Sequence, residues 1–198
     1  MAKKPLVHKV NPALDLLLER VVDVPRHRVW ECWTTPRHIL KWFTPAPWKT
    51  VECKFDLRPG GRFFTMMQSP EGKNFPNEGC FLEIVKHEKL VWTGALGPGY
   101  RPQAKSVIDL PFTAVITLKT VGKGTKYSAL VIHGNAGDAK KHADMGFFDG
   151  WGKALDQVQI VELGHQQRCR LVRHRPKSPN HAGCADRHAG LARAGEHR

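Results

Sequence analysis

From Val51 to Gln68 the chain alternates in a way that a β-hairpin satisfies and a helix does not. Val51, Cys53, Phe55 and Leu57 are apolar, and Glu52, Lys54, Asp56 and Arg58 between them are charged. A period of two gives a strand one apolar face and one wet face. Pro59-Gly60-Gly61 then reverses the chain, and Arg62 to Gln68 returns. With Gly60-Gly61 as a two-residue loop, Leu57 opposes Phe64 and Phe55 opposes Met66. Directly opposed residues share a face, so this register puts Phe64 and Met66 inside. A sheet with one apolar face needs a cover, and the rest of the chain must supply it.

The remaining segments fit that demand. Leu14 to Val24 is rich in Leu and Val and ends at Pro25, as a first strand would. Pro25 opens a short helix through Trp33, and Thr35-Pro36 restarts the chain into a second, closed by Pro45 and Pro47. Ser69 to Asn77 reads as a loop. Gly79–Val85 with Leu90–Ala95, and Phe112–Val121 with Thr125–His133, read as two further hairpins, separated by an irregular stretch from Gly97 to Leu110. One continuous helix follows from Asp138 to Glu162, with Met145, Phe148, Trp151, Leu155 and Val158 on one face. The fold class is therefore α+β. A curved antiparallel sheet of six to seven strands has two short helices after the first strand and a long C-terminal helix over its concave face.

The last 34 residues break this pattern. His165 to Arg198 has no aromatic residue, eight Lys/Arg against Asp186 and Glu196, and five of the eleven His. The expected organisation is a loose basic arm over 1–13, one domain over 14–164, and a disordered basic tail over 165–198. The tail's Arg/Ala/His/Gly/Pro mixture is that of GC-rich DNA read out of frame, which suggests a frameshift near Gly164. It contributes +6 of the formal net charge of +13, so the domain itself is only moderately basic. Five cysteines make no disulfide framework and favour a reducing compartment. There is no secretory apolar region and no span long enough for a membrane helix, so a cytoplasmic protein with no membrane insertion is expected.

Several motifs, in order, resemble a known family. LLLERVVDVPRHRVWECWTTPRHILKWF, Asp56-Leu57-Arg58-Pro59-Gly60-Gly61-Arg62-Phe63, Leu82-Glu83-Ile84, Leu90-Val91-Trp92-Thr93, Gly150-Trp151 and Leu155-Asp156-Gln157 are similar to the START-like (SRPBCC) superfamily. The match is to the branch named after activators of a heat-shock chaperone ATPase (AHSA-type). The resemblance implies a helix-grip fold with a deep apolar cavity between sheet and C-terminal helix. Members of the superfamily bind lipids, sterols, polyketides or other hydrophobic ligands there, and a minority catalyse cyclisation or dehydration. It also implies two rivals to simple binding, an enzyme of that kind and a chaperone-interaction module.

The candidate residues follow. Trp42, Phe64, Met66, Trp92, Phe148 and Trp151, with Trp48, are placed to converge on the space between sheet and helix as ligand-contacting walls. His133 ends the last strand, where an imidazole facing the cavity would be an acid or base near neutral pH and a polar contact for the ligand. Glu83, in the apolar run CFLEIV, would have a raised pKa if buried, or would pair with Arg62. Arg58 and Arg62 flank the turn as solvated hairpin ends or as donors to a carboxylate. GxSxG, P-loop, GxGxxG and HExxH motifs are all absent, and no cofactor is called for. Cys169 with His174, and Cys184 with His188, lack the patterning of a zinc module, so no metal site is expected. No RNP-like aromatics or recognition helix point to specific nucleic-acid binding. The expected partner is a hydrophobic small molecule, with a chaperone or a second copy of the chain as the macromolecular alternatives.

Overall fold

The computed structural model describes residues 8–104 and 110–173, with side chains as far as Val161. The elements are β1 (Asp15–Val22), α1 (Arg26–Thr34), α2 (Pro36–Trp42), β2 (Lys49–Phe55), β3 (Arg62–Gln68), β4 (Asn74–Val85), β5 (Lys89–Thr93) and β6 (Leu96–Gly97). They continue with β7 (Arg101–Pro102), β8 (Phe112–Val121), β9 (Gly124–His133), α3 (Ala136–Asp144) and α4 (Phe147–Arg173). Seven strands form one antiparallel sheet in the order β1-β9-β8-β5-β4-β3-β2, and β6 with β7 forms a separate ribbon. The expected α+β helix-grip architecture is present. Among the described residues no helix is long and apolar enough to cross a membrane.

The first hairpin is shifted from the expected register. Phe55 opposes Phe63, Cys53 opposes Thr65 and Glu52 opposes Met66, followed by a bulge before Thr50 and Met67. The connection is wider than two residues. Asp56 N–H donates to the Arg62 carbonyl at 2.9 Å, and the Gly61 N–H donates to the Arg58 carbonyl at 2.8 Å. Gly61 is sterically obligatory, because a Cβ there would lie 1.9 Å from the Asp56 carbonyl oxygen. The shift reverses the faces of β3. Phe63 and Thr65 are buried at 3% and 0% exposure, while Phe64 and Met66 turn to the outer face. On that face the Arg62 guanidinium lies 4.7 Å from the Phe64 ring centre and grips Glu78 with two bonds of 2.7 Å.

Other boundaries differ for similar local reasons. The expected loop after Gln68 is only five residues long, because Gln68 already opposes Asn74. Pro76 is tolerated inside β4 because β5 pairs only with Cys80 to Val85, leaving that stretch an edge on one side. The expected single C-terminal helix is two helices. Gly146, at φ +89°, is a left-handed residue that ends α3 and re-aims the chain into α4. The bend rotates the apolar face by one position, so Phe147 is buried at 2% exposure while Phe148 is 52% and Met145 66% exposed. The backbone of α4 continues past Gly164 to Arg173. Residues 8–13, expected to be loose, are pinned to β1. Asn11 N–H donates to Asp15 Oδ2 at 2.7 Å, and His8 Nε2 lies 2.8 Å from the same oxygen. Residues 1–7 and 174–198 of the expected arm and tail lie outside the described residues.

Aromatic rings fill the layer between sheet and helices. Trp33 meets Trp42 at 4.8 Å, Phe43 meets Phe63 at 5.8 Å, and Phe63 meets Trp92 at 4.6 Å. Trp92 meets Phe112 at 5.3 Å, which carries the series to the α3 end of the sheet. α4 is fastened to both ends of this layer. Arg20 on β1 donates to the Gly152 carbonyl at 3.2 Å and to Asp156 at 2.7 Å. Gln157 Nε2 donates to the carbonyls of Trp42 and Thr44 at 2.8 and 3.1 Å. The Arg20–Asp156 pair is exposed and contributes at most ~1 kcal/mol, so packing dominates the docking of α4. The observed register makes a direct prediction for chemical denaturation. Phe63→Ala should cost about 3–5 kcal/mol, and Phe64→Ala about 1 kcal/mol or less. Equal costs would contradict the pairing of Phe55 with Phe63.

Candidate functional site

His133 ends β9 on the concave face, opposite Phe112 on β8. It is 3% exposed, and its Nδ1 lies 3.0 Å from the Leu14 carbonyl oxygen. Its Nε2 lies 3.0 Å from His142 Nδ1 on α3. The placement of His142 is local in origin. Asn135 caps α3 by accepting from Asp138 N–H at 2.9 Å, and Ala139 and His142, three apart, are the buried residues of the helix. Phe112 and Phe147 each lie 5.1 Å from the His142 ring, and Trp151 lies 5.2 Å from Phe147. Two imidazoles therefore sit in an aromatic corner under the α3–α4 bend.

The tautomers follow from the acceptors when both rings are neutral. A carbonyl oxygen only accepts, so His133 Nδ1 carries a proton and donates to Leu14. His133 Nε2 is then bare, and His142 Nδ1–H donates to it. That leaves His142 Nε2 as an unprotonated nitrogen with no protein partner among the described residues. Burial first, and the neighbouring His133 second, push the His142 pKa from 6.5 down to about 4.

Two polar groups elsewhere on the concave face lack a partner. Thr65 Oγ1 and Trp92 Nε1 are buried without a hydrogen-bond partner. Phe63, on the same face, lies between them in the sheet. Trp42, in contrast, is satisfied, its Nε1 donating to the Cys32 carbonyl at 3.0 Å. Burial pushes the Cys53 thiol up to about 12, so it offers no reactive thiolate here.

The sequence-derived residues thus divide. Trp42, Trp92, His133 and the half-buried Trp151 belong to or pack on the concave layer. Phe64 and Met66 do not, because the β2–β3 register turns them outward. Phe148 does not either, since the Gly146 bend gives its place to Phe147. Trp48 lies 37% exposed against Phe75 at 5.1 Å. Glu83 faces outward and pairs with Lys89 at 2.7 Å, so it is neither a cavity acid nor the partner of Arg62. His142, Phe112 and Phe147 were missed. Only an imidazole in the buried repeat of a short capped helix could have signalled His142.

The expected deep cavity is also different in form. The two best-defined hollows among the described residues, of about 240 and 410 Å³, are open surface features sharing Arg26 and Thr120. They lie by the β8–β9 turn, at the opposite end of that hairpin from His133. No group of three potential metal ligands occurs among the described residues. Cys169, His174, Cys184 and His188 fall outside the described side chains.

A seven-stranded sheet gripped by two short helices and a C-terminal helix can be compared with known proteins. Residues 23–161 match the family described as activator of Hsp90 ATPase homolog 1-like protein. The chain belongs to this family. A crystal structure from Nitrosomonas europaea is similar at 44% identity and TM-score 0.75, covering 81% of this chain and 99% of that one. A Mycobacterium smegmatis crystal structure shares the fold at 23% identity and TM-score 0.63, covering 75% of this chain and 90% of that one. A solution structure from Aeromonas hydrophila, described as AHSA1-like, shares it at 17% identity and TM-score 0.56, covering 85% and 100%. No curated protein matches the chain.

The imidazole pair has a pH consequence. His142 holds fewer protons folded than unfolded, so stability rises with pH between its two pKa values. As pH falls from 6.5 towards 4, this group alone removes about 3 kcal/mol. Denaturation midpoints across that interval should fall more steeply for the wild type than for His142→Gln. Parallel curves would place His142 in water.

Proposed function

We propose that the chain binds a small hydrophobic or aromatic molecule between the concave sheet face and the α3–α4 corner. The observation that carries this reading is the pair of imidazoles set among Phe112, Phe147 and Trp151, with His142 Nε2 left without a protein partner among the described residues. Such sites combine apolar walls with a few directed polar groups. The unpartnered Trp92 N–H and Thr65 O–H add two donors on the same sheet face. Because rings fill the layer, the ligand approaches from the α3–α4 bend, where Met145 and Phe148 are exposed.

An acid–base role for Glu83 has no support, since its carboxylate is held outward by Lys89. A binder needs only the walls and the polar anchor. The test is native mass spectrometry of the purified chain, with thermal denaturation against a panel of aromatic and aliphatic ligands. A retained mass or a raised Tm is expected, because a ligand at about 100 times its Kd stabilises by ~2.7 kcal/mol. No retained mass and no shift with any ligand would overturn the proposal.

A further inference from the structure

The geometry points to a selection rule: the corner takes neutral aromatic molecules that donate a hydrogen bond, phenols above all, in preference to their methyl ethers and to aromatic carboxylates. This rests on the ligand-binding reading above and adds the chemical class of the ligand. The argument starts at the Leu14 carbonyl. It has no proton to give, so it commits His133 Nδ1 to donating. That commitment passes through the 3.0 Å contact with His142 and leaves an acceptor, not a donor, at His142 Nε2.

The His142 ring is not fully sealed, being 8% exposed. Met145 and Phe148, both more than half exposed, give the α3–α4 bend an apolar approach on either side of Gly146. Phe112 and Phe147, at 5.1 Å from His142, offer faces and edges on which a ligand ring packs.

Each ligand class meets this arrangement differently. A phenol O–H points its proton at the bare nitrogen while its ring packs on the phenylalanines. A methyl ether has no proton to give and leaves the nitrogen unpaired. A carboxylate brings lone pairs against a lone pair and must shed its hydration in an aromatic corner. The Asp15 carboxylate and its partner His8 lie on the other face of the sheet, since Asp15 opposes Ile132, the outward neighbour of His133.

The experiment uses the full chain at neutral pH with p-cresol, p-methylanisole and p-toluate as probes. Long-range ¹⁵N correlation spectra of the imidazoles should show His142 as the Nδ1–H tautomer. Adding p-cresol should move the His142 Nε2 resonance. Calorimetric titration should give p-cresol at least about ten-fold tighter binding than p-methylanisole, with p-toluate weakest. His142→Phe keeps a ring but removes the acceptor and should bring cresol and ether together. His142→Gln, with an amide oxygen in reach, should retain part of the preference and guards against a misfolded Phe variant. Equal binding of cresol and ether by the wild type would overturn the selection rule and leave the binding site standing. So would tighter binding of the carboxylate, or an Nε2–H tautomer. No binding of any probe would overturn the rule together with the binding site.

Discussion

The close approach of Gly61 to the Asp56 carbonyl determines which way β3 faces, and the interior depends on that choice. With no room for a Cβ at Gly61, the chain turns tightly enough for Asp56 N–H to reach the Arg62 carbonyl. The same turn is stitched to the neighbouring strand, with Gly60 N–H donating to the Phe81 carbonyl at 2.8 Å and Phe81 N–H to the Gly61 carbonyl at 3.0 Å. Phe63 is thereby aimed inward, where it touches Phe43, Phe55, Phe81 and Trp92. A shift of one residue would exchange Phe63 and Thr65 for Phe64 and Met66 and leave a gap beside Trp92.

The same parity explains what could and could not be read from the residues. Strand alternation around Val51–Leu57 and the closing α4 were legible because each repeats its period several times, and the two short helices because Pro25 and Pro36 mark their starts. Leu155-Asp156-Gln157 was legible as a motif, and each member proves to dock α4: Leu155 in the core, Asp156 on Arg20, Gln157 on the end of α2. Phe64 and Phe148 were each misplaced by one residue. Both lie just after a glycine turn whose geometry depends on contacts distant in sequence, and both are aromatic neighbours of another phenylalanine. Where two large apolar residues are adjacent, composition gives no preference, and only the turn decides.

His142 was hidden for a different reason. Its importance comes from a contact nine residues away, made across a strand end and a helix cap. Periodicity marks Ala139 and His142 as one face of α3 but does not say what that face meets. His133 was legible because a histidine at the end of an apolar strand stands out against its neighbours. Its chemical meaning was not, since a lone imidazole donates or accepts equally well until an acceptor-only partner breaks the tie.

That tie-breaking also separates function from stability at this corner. Placing two imidazoles in an aromatic layer costs desolvation, and the bonds to Leu14 and between the rings offset only part of it. Two apolar side chains of similar volume would fill the same space with no polar atom to satisfy. Packing therefore does not account for the pair. What the pair provides, and apolar residues would not, is a directed lone pair whose sense is inherited from a backbone carbonyl two rings away. Direction of that kind matters only to a group that arrives with a proton to share.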